Sequence, residues 1–477
     1  MNLHQAILEQ ELESIVGPEH VVTEPAEMVA QAADVWWITR FLLASDIELP
    51  RPLAIVYPAD KEQVIRLVRF CNEHKVALIP RGGGAGDSGG AVPLTGGIVV
   101  DMKRMDKVLE LNEKSLTVRV QPGILHADLE EYVNRRGYTT NHLPASLTTS
   151  ALGGFISTNG TGVLSSKYGK ISDMVHQLEV VLPDGRLFRS LPVRLHSTGP
   201  DYSRLFFGAE GTLGVITEAL VKIHPLPEKR AFRTFLLPRL REGIEAGRVI
   251  MIQGLAPSLL RLYDEQDTHK ILRGQYGLGV EGCCLLLGFD GLERLVDVSL
   301  DVATEILLAS GAQDLGPELT QNWWDNRYRS YYPPNDYIYY PWMTAVMDTV
   351  APYEKLEAIY WAMKSAVEEG FREWHAEFHA HFSHWYDWGA SFYPSFVIKE
   401  YPSDPRQALR LYNQVLDRAL RTSLEGGGVI NEHHGIGLRM GRLMKEAYGE
   451  QYELARVLKR ALDPNNIMNP GKLGLGE

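Results

Sequence analysis

VALIPRGGGAGDSGGAVPLTGGIVVDM (residues 76–102) is the stretch on which the fold turns. VALIP (76–80) is a short apolar run closed by a glycine loop and reads as a buried strand. It follows an amphipathic helix expected over DKEQVIRLVRFCNEH (60–74), with Val64, Leu67, Val68 and Cys71 on one face and Asp60 as N-cap or first-turn acid. A strand opening into a glycine loop invites the dinucleotide fingerprint, and Gly84-x-Gly86-x-x-Gly89 has its spelling. That motif works only when the loop opens a helix whose N-terminus receives a pyrophosphate. Here the loop runs into AVPLTGG (91–97), with Pro93 and two more glycines, and then into the strand IVVDM (98–102). The fingerprint is therefore rejected, but an anion-binding loop remains. Six glycines in residues 81–90 allow positive φ angles and let backbone N–H groups converge into a nest, with Asp87 and Ser88 placed to fix it.

Working outward, residues 2–15 read as a helix and 52–58 as a short strand ended by Pro58. Downstream, VLELN (108–112) and SLTVRVQPG (115–123) alternate as strands, with Leu116, Val118 and Val120 on one face. Residues 126–137 read as a helix, and QLEVVLPDGRLFRS (177–190) as a hairpin turning at Asp184-Gly185. Two further small-residue segments, TSALGGFISTNGTG (149–162) and GAEGTLG (208–214), read as loops flanked by strands. Together the three loops suggest the walls of one extended cleft. Beyond residue 228 the texture changes to long alternating strands and helices, with a helix over 354–370 and an aromatic stretch at 323–342 read as packed core. A domain boundary is placed near 228.

Composition narrows the function classes. A chain of 477 residues holds two or three domains, and 45% hydrophobic with 23% charged residues is ordinary for a globular protein. A net charge of −12 disfavours non-specific nucleic-acid binding. The sequence has no apolar run long enough to span a membrane and no secretory pattern at its start, so a cytoplasmic enzyme is expected. Cys71, Cys283 and Cys284 lack metal or redox spacing and read as structural thiols.

The strings IPRGGGAGDSGG (79–90), PASLTTSALGGFISTNGTGVLSSKYG (144–169) and STGPDYSRLFFGAEGTLGVITEA (197–219) resemble the PCMH-type flavin domain of the vanillyl-alcohol oxidase superfamily. The similarity is greatest to its alkyldihydroxyacetonephosphate synthases and its glycolate and D-lactate dehydrogenases. It covers residues 50–228 and returns at DPNNIMNPGK (463–472). It implies FAD and an α+β fold: a flavin domain of two α+β subdomains over 51–228 and an α+β cap with an antiparallel sheet over 229–440. A helical extension over 1–50 precedes them, and 441–477 returns to the flavin domain. By position it implies that Gly82, Gly83, Gly84, Ala85, Gly86 and Ser88 touch the pyrophosphate. Ser146, Ser150, Gly153, Gly154, Thr158, Gly160, Gly211 and Ile216 would line the rest of the cleft, with Arg81, Asp87, Pro144 and Glu210 beside them. Covalent members often carry His where this chain has Ala85, and no Cys lies between 72 and 282 to supply a thioether, so non-covalent FAD is expected.

The cap should carry the chemistry. Oxidising an alcohol needs a base for the hydroxyl proton, and an anionic substrate needs a cation. The hydroxy-acid dehydrogenase branch has two histidines seven residues apart and a later Glu-His before Gly-Ile-Gly, where several members bind a divalent metal. This chain has Tyr386, Tyr393, His433 and His434 there. Neutral phenol is a poor ligand, so no catalytic metal is expected. His379 and His381 would share one strand face, with His384 on the other, which argues against a zinc site. The replacements resemble the synthase pattern instead. Its Tyr-Asp-x-Gly-x-x-x-Tyr segment places an active-site tyrosine at Tyr393, its His cluster falls on His433 and His434 with Glu432 as third member, and its arginine falls on Arg261. Tyr393 shares a face with Ser391 and Ser395, opposite Phe392 and Phe396, a face that suits either a cavity or water. Pro394 lacks a strand donor and belongs at an edge or bulge. Three functions follow as expectations: hydride transfer from an alcohol or 2-hydroxy acid to flavin N5, acyl-for-alkyl exchange at N5 with no net redox change, or a flavin-holding electron-transfer subunit. The expected partners are a small anionic substrate and an unidentified electron acceptor, with homodimerisation left open.

Overall fold

The computed structural model describes residues 5–273, 281–328 and 341–476. Residues 329–340 of the aromatic stretch lie outside this set. Four strands form the first sheet: β1 (Val21–Val22), β2 (Ala54–Val56), β3 (Leu78–Arg81) and β4 (Ile98–Asp101), in the order β1-β2-β4-β3. β2, β4 and β3 run parallel, which requires a crossover. The helix Lys61–His74 provides it, capped by the Asp60 carboxylate accepting from the Gln63 amide at 2.9 Å. Val64, Leu67, Val68 and Cys71 are buried against the sheet, as the periodicity requires. No helix follows the glycine loop; the chain passes from β3 to β4 through turns.

The second sheet holds β5 (Val108–Asn112), β6 (Thr117–Val120), β8 (Val175–Val181), β9 (Leu187–Arg189) and β10 (Val215–Lys222), in the antiparallel order β5-β6-β10-β8-β9. β7 (Tyr138–Thr139) and β11 (His224–Pro225) make a short ribbon. β8 and β9 are the hairpin expected at Asp184-Gly185. The segment 149–162 is not a loop. Leu152–Thr158 is a helix, with Leu152, Phe155 and Ile156 buried and Asn159 closing it in the left-handed region. Its small residues permit close packing: a Cβ on Gly153 would lie 2.7 Å from Pro122.

The third sheet is antiparallel: β12 (Lys229–Leu237), β13 (Leu259–Tyr263), β14 (Cys283–Gly291), β15 (Gln313–Asp314), β16 (Met343–Val346), β17 (Thr349–Pro352), β18 (Glu377–Trp385) and β19 (Gly389–Ile398). The order is β15-β12-β14-β13-β18-β19-β16, with β17 also on β19. Helices 240–252, 293–309, 353–368 and 405–426 pack with it around one core, which also receives Trp36, Trp37, Ile38 and Phe41 from the N-terminal extension. The fold is thus α+β, as expected. The C-terminal segment returns to the first sheet, where the Leu78 amide donates to Ile467 and the Asn469 amide donates back to Leu78.

Two details of the third sheet place the site. β18 carries a bulge between Phe382 and His384. Strict alternation would put His384 opposite to His381, but the extra residue at Ser383 pairs His384 with Ser391, on the face that also holds Tyr393 and Ser395. The expectation that His384 faces away is therefore corrected. Pro394, expected at an edge or bulge, is at neither: β19 is flanked on both sides, and Pro394 pairs with Ala380, away from the bulge at Ser383. β16 and β17 keep one register against β19 and part at Met347–Asp348. Met347 donates to the Pro394 carbonyl at 2.8 Å, but proline returns no donor, so the rung is half made. Asp348 occupies that interruption.

Candidate active site

A single cavity runs between the first two sheets and the face of β18 and β19. Its wall includes every cleft position named from the sequence: Arg81, Gly82 to Gly84, Ala85, Gly86, Asp87, Ser88, Pro144, Ser146, Ser150, Gly153, Gly154, Thr158, Gly160, Glu210, Gly211 and Ile216. Arg261, Tyr393, His433 and His434 line it too, and Tyr386 does not. The wall also includes Asp34, Trp37, His381, His384 and Arg439, which sequence reasoning did not assign.

The loop after β3 is held from outside. Arg81 donates to the carbonyls of Gln31 and Ala33, bracing the N-terminal extension against the loop. The Ser88 carbonyl accepts from the amides of Leu438 and Arg439 at 2.9 and 3.1 Å. Asp87 accepts from the Ser88 hydroxyl and from buried Arg439, and although burial opposes its charge, Arg439 holds its carboxyl below the ordinary value. Glycine is needed at position 83, where a Cβ would lie 1.6 Å from the Thr149 carbonyl oxygen. Among the described residues the amides of Gly83 to Gly86 have no acceptor in the protein. A Cβ built on Gly86 or Gly154 meets nothing within 4 Å, so both present bare backbone to the cavity. A row of free N–H donors facing a glycine-walled space fits the pyrophosphate of FAD. Glu210, driven up to about 7 by burial, accepts from the amides of Ile436 and Gly437 and ties the Gly-Ile-Gly loop to the same wall.

The polar end of the cavity is organised around Asp348. Its Oδ1 accepts from His434 Nδ1 at 2.8 Å and Asn431 Nδ2 at 2.9 Å, and its Oδ2 from the amides of Glu432 and His433 at 2.7 and 2.8 Å. Burial alone would raise its pKa, but His434 and His433 hold the carboxyl well below the usual range. For His434 burial favours the neutral ring, yet the carboxylates of Asp348 and Asp87 outweigh it and raise the imidazole above its ordinary value. With Nδ1–H committed to Asp348, Nε2 carries the basic lone pair. Nothing in Met-Asp-Thr (347–349) marks Asp348 in the sequence.

Tyr393 lies between two imidazoles, stacked on His381 at 4.7 Å and edge-on to His434 at 5.0 Å between centroids. The polar face of β19 therefore faces the cavity, and Phe392 and Phe396 face the core. Arg261 donates through Nε to Tyr263 and through Nη2 to His381 Nε2, at 2.8 and 2.7 Å. It forms no ion pair with Asp264 or Glu265; among the described residues Asp264 accepts instead from Tyr360, Asp267 and Ala380. Tyr386 reaches the site only through Glu432, whose Oε1 accepts from its hydroxyl and from Lys170, both at 2.8 Å. Glu432 Oε2 takes His433 Nδ1–H at 2.6 Å. In two triads, Asp348–His433–His434 and His384–Glu432–His433, imidazole and carboxylate atoms lie within 4.8 Å of one another. Their carboxylates are already committed to N–H donors and, at Glu432, to an ammonium group.

Residues 52–190 match the model of an FAD binding domain, and residues 226–473 match that of the FAD linked oxidases, C-terminal domain. The chain is 29% identical over 470 residues to an alkyldihydroxyacetonephosphate synthase of Trypanosoma brucei brucei, covering 92% of this chain and 75% of the relative. It is 30% identical over 442 residues to a D-lactate dehydrogenase of Anaerostipes hadrus, covering 89% and 90%. A solved alkyldihydroxyacetonephosphate synthase superposes with a TM-score of 0.80 at 26% identity, covering 98% of this chain and 85% of that one. Among the described residues no helix is long and apolar enough to cross a membrane.

Proposed function

Because the chain belongs to the FAD linked oxidases, we propose that it oxidises an alcohol, with 2-hydroxy acids the preferred class. The observation that carries this reading is the Asp348–His434 pair beside Tyr393, in the same cavity as a guanidinium that has no carboxylate partner among the described residues. Gly83 to Gly86, Ser88, Gly154 and Gly160 would hold FAD, and when bound it supplies the two-electron acceptor for the hydride of the carbinol carbon. His434 Nε2 takes the hydroxyl proton while Asp348 stabilises the imidazolium that results. The Tyr393 hydroxyl orients the reacting oxygen, and Arg261 receives the carboxylate. Anaerobic mixing of the yellow protein with a panel of 2-hydroxy acids and simple alcohols should bleach the flavin absorbance, the acids faster. Failure with every member of the panel removes this reading.

A second reading is favoured by the Tyr-Asp-x-Gly-x-x-x-Tyr segment ending at Tyr393 and by the synthase relative: exchange of an acyl for an alkyl group on a ketone phosphate, with Arg261 receiving the phosphate. Activity on an acylated ketone phosphate, in a protein that no alcohol bleaches, selects it. In both readings Ala85 leaves FAD untethered. Acid precipitation is expected to release the yellow colour into the supernatant, and colour retained in the washed pellet contradicts this.

A further inference from the structure

Arg261 needs a fixed geometry to serve as an anion receptor, and one side chain supplies it. A guanidinium has no acceptor, so the 2.7 Å contact between Arg261 Nη2 and His381 Nε2 makes His381 the acceptor and puts its proton on Nδ1. That nitrogen lies 3.7 Å from Asp267 Oδ2, and Asp267 is itself placed by its amide, which donates to Asp264 Oδ1. Burial, then Arg261, drives His381 down to about 4, so it is neutral and able to accept throughout the neutral range. A face of the same imidazole stacks on Tyr393, with 17° between the planes.

We infer that His381 is a positioning residue that fixes Arg261 for a carboxylate or phosphate and couples this anion site to Tyr393. The inference rests on the assignment of Arg261 proposed above. Among the described residues, Arg261 is held at Nε by Tyr263 and at one Nη2 hydrogen by His381, and its other N–H groups have no hydrogen-bond acceptor, which suits a bidentate anion. Without the acceptor the guanidinium loses one of the two side-chain hydrogen bonds it makes among the described residues, and the anion must order it on binding. His381 stands in β18 before the bulge, on the cavity face, where only the register with Tyr393 reveals it.

The test uses the FAD-loaded protein and two variants. His381→Phe keeps a flat ring against Tyr393 and removes the acceptor; His381→Gln keeps an acceptor. Oxalate and inorganic phosphate, neither of which can be oxidised by hydride loss, serve as probes of the anion site through their perturbation of the flavin spectrum. His381→Phe is expected to weaken the tighter-binding probe about 10-fold or more and to raise KM similarly. Its kcat should stay within about 3-fold, and His381→Gln should restore both constants to within about 3-fold of the parent. Equal losses in kcat and KM in both variants, or a Kd unchanged in His381→Phe, overturn the role. Arg261→Met in parallel separates the two levels. Probe binding that ignores Arg261→Met overturns the anion site and the positioning role with it. Binding that depends on Arg261 and not on His381 overturns the positioning role alone.

Discussion

His434→Gln is expected to slow flavin reduction by about 10²–10⁴-fold. Glutamine fills much of the same space and can still donate to Asp348, but it has no basic nitrogen to take the hydroxyl proton. Oxalate affinity, which reports on Arg261, should stay near the parent value. The pH profile gives a second check. Only neutral imidazole accepts a proton, so the parent rate must fall as pH drops through the His434 pKa. Burial pulls that pKa down, but Asp348 and Asp87 outweigh it and hold it above 6.5, so the acid limb belongs above that pH. Anaerobic stopped-flow measurement of the flavin signal at several pH values tests both statements. A glutamine variant that keeps the rate or the limb moves the base elsewhere, with Tyr393 next in line.

Asp348→Ala is expected to cost about 3–5 kcal/mol of stability as well as most of the activity. Asp348 is fully buried and accepts from two side chains and two backbone amides, and alanine leaves all of these donors without a partner. Urea unfolding of the FAD-loaded chain should show the midpoint fall, and Asp348→Asn should lie between the two. The sign with pH follows from a depressed carboxyl. The stabilisation is fully present above the ordinary aspartate value of 3.8 and is lost as pH falls through the lower folded value. An alanine variant as stable as the parent at neutral pH contradicts the account.

What the sequence made legible was whatever local chemistry determines. Asp60 and the apolar face of 61–74 specify a capped helix, Asp184-Gly185 specifies a hairpin, and Pro93 forbids a helix after the glycine loop. The cleft residues were legible through resemblance, and the structure gathers them around one cavity. The misreadings concern pairing between distant segments. Leu152–Thr158 is a helix whose Gly153 packs tightly on Pro122 and whose Gly154 faces the cavity, and composition alone does not separate such a helix from a loop. Simple alternation puts His384 on the wrong face because a bulge is set by the partner strand. Proline chemistry points Pro394 to an edge or bulge because nothing local shows that the neighbouring ladder breaks opposite it, and nothing local marks Asp348 for the same reason.

The bulge in β18 has a consequence for how such sites diversify. Ser383 and His384 are consecutive, yet both side chains reach the cavity wall, while Phe382 and Trp385 on either side of them remain in the core opposite Phe392 and Ala390. The strand has absorbed one residue without disturbing its apolar partners. Removing Ser383 would restore plain alternation and leave His384 where it is. Chain length at this point is therefore a variable separate from residue identity: the one extra residue sets how many polar groups line the cavity, while Phe382 and Trp385 keep their partners.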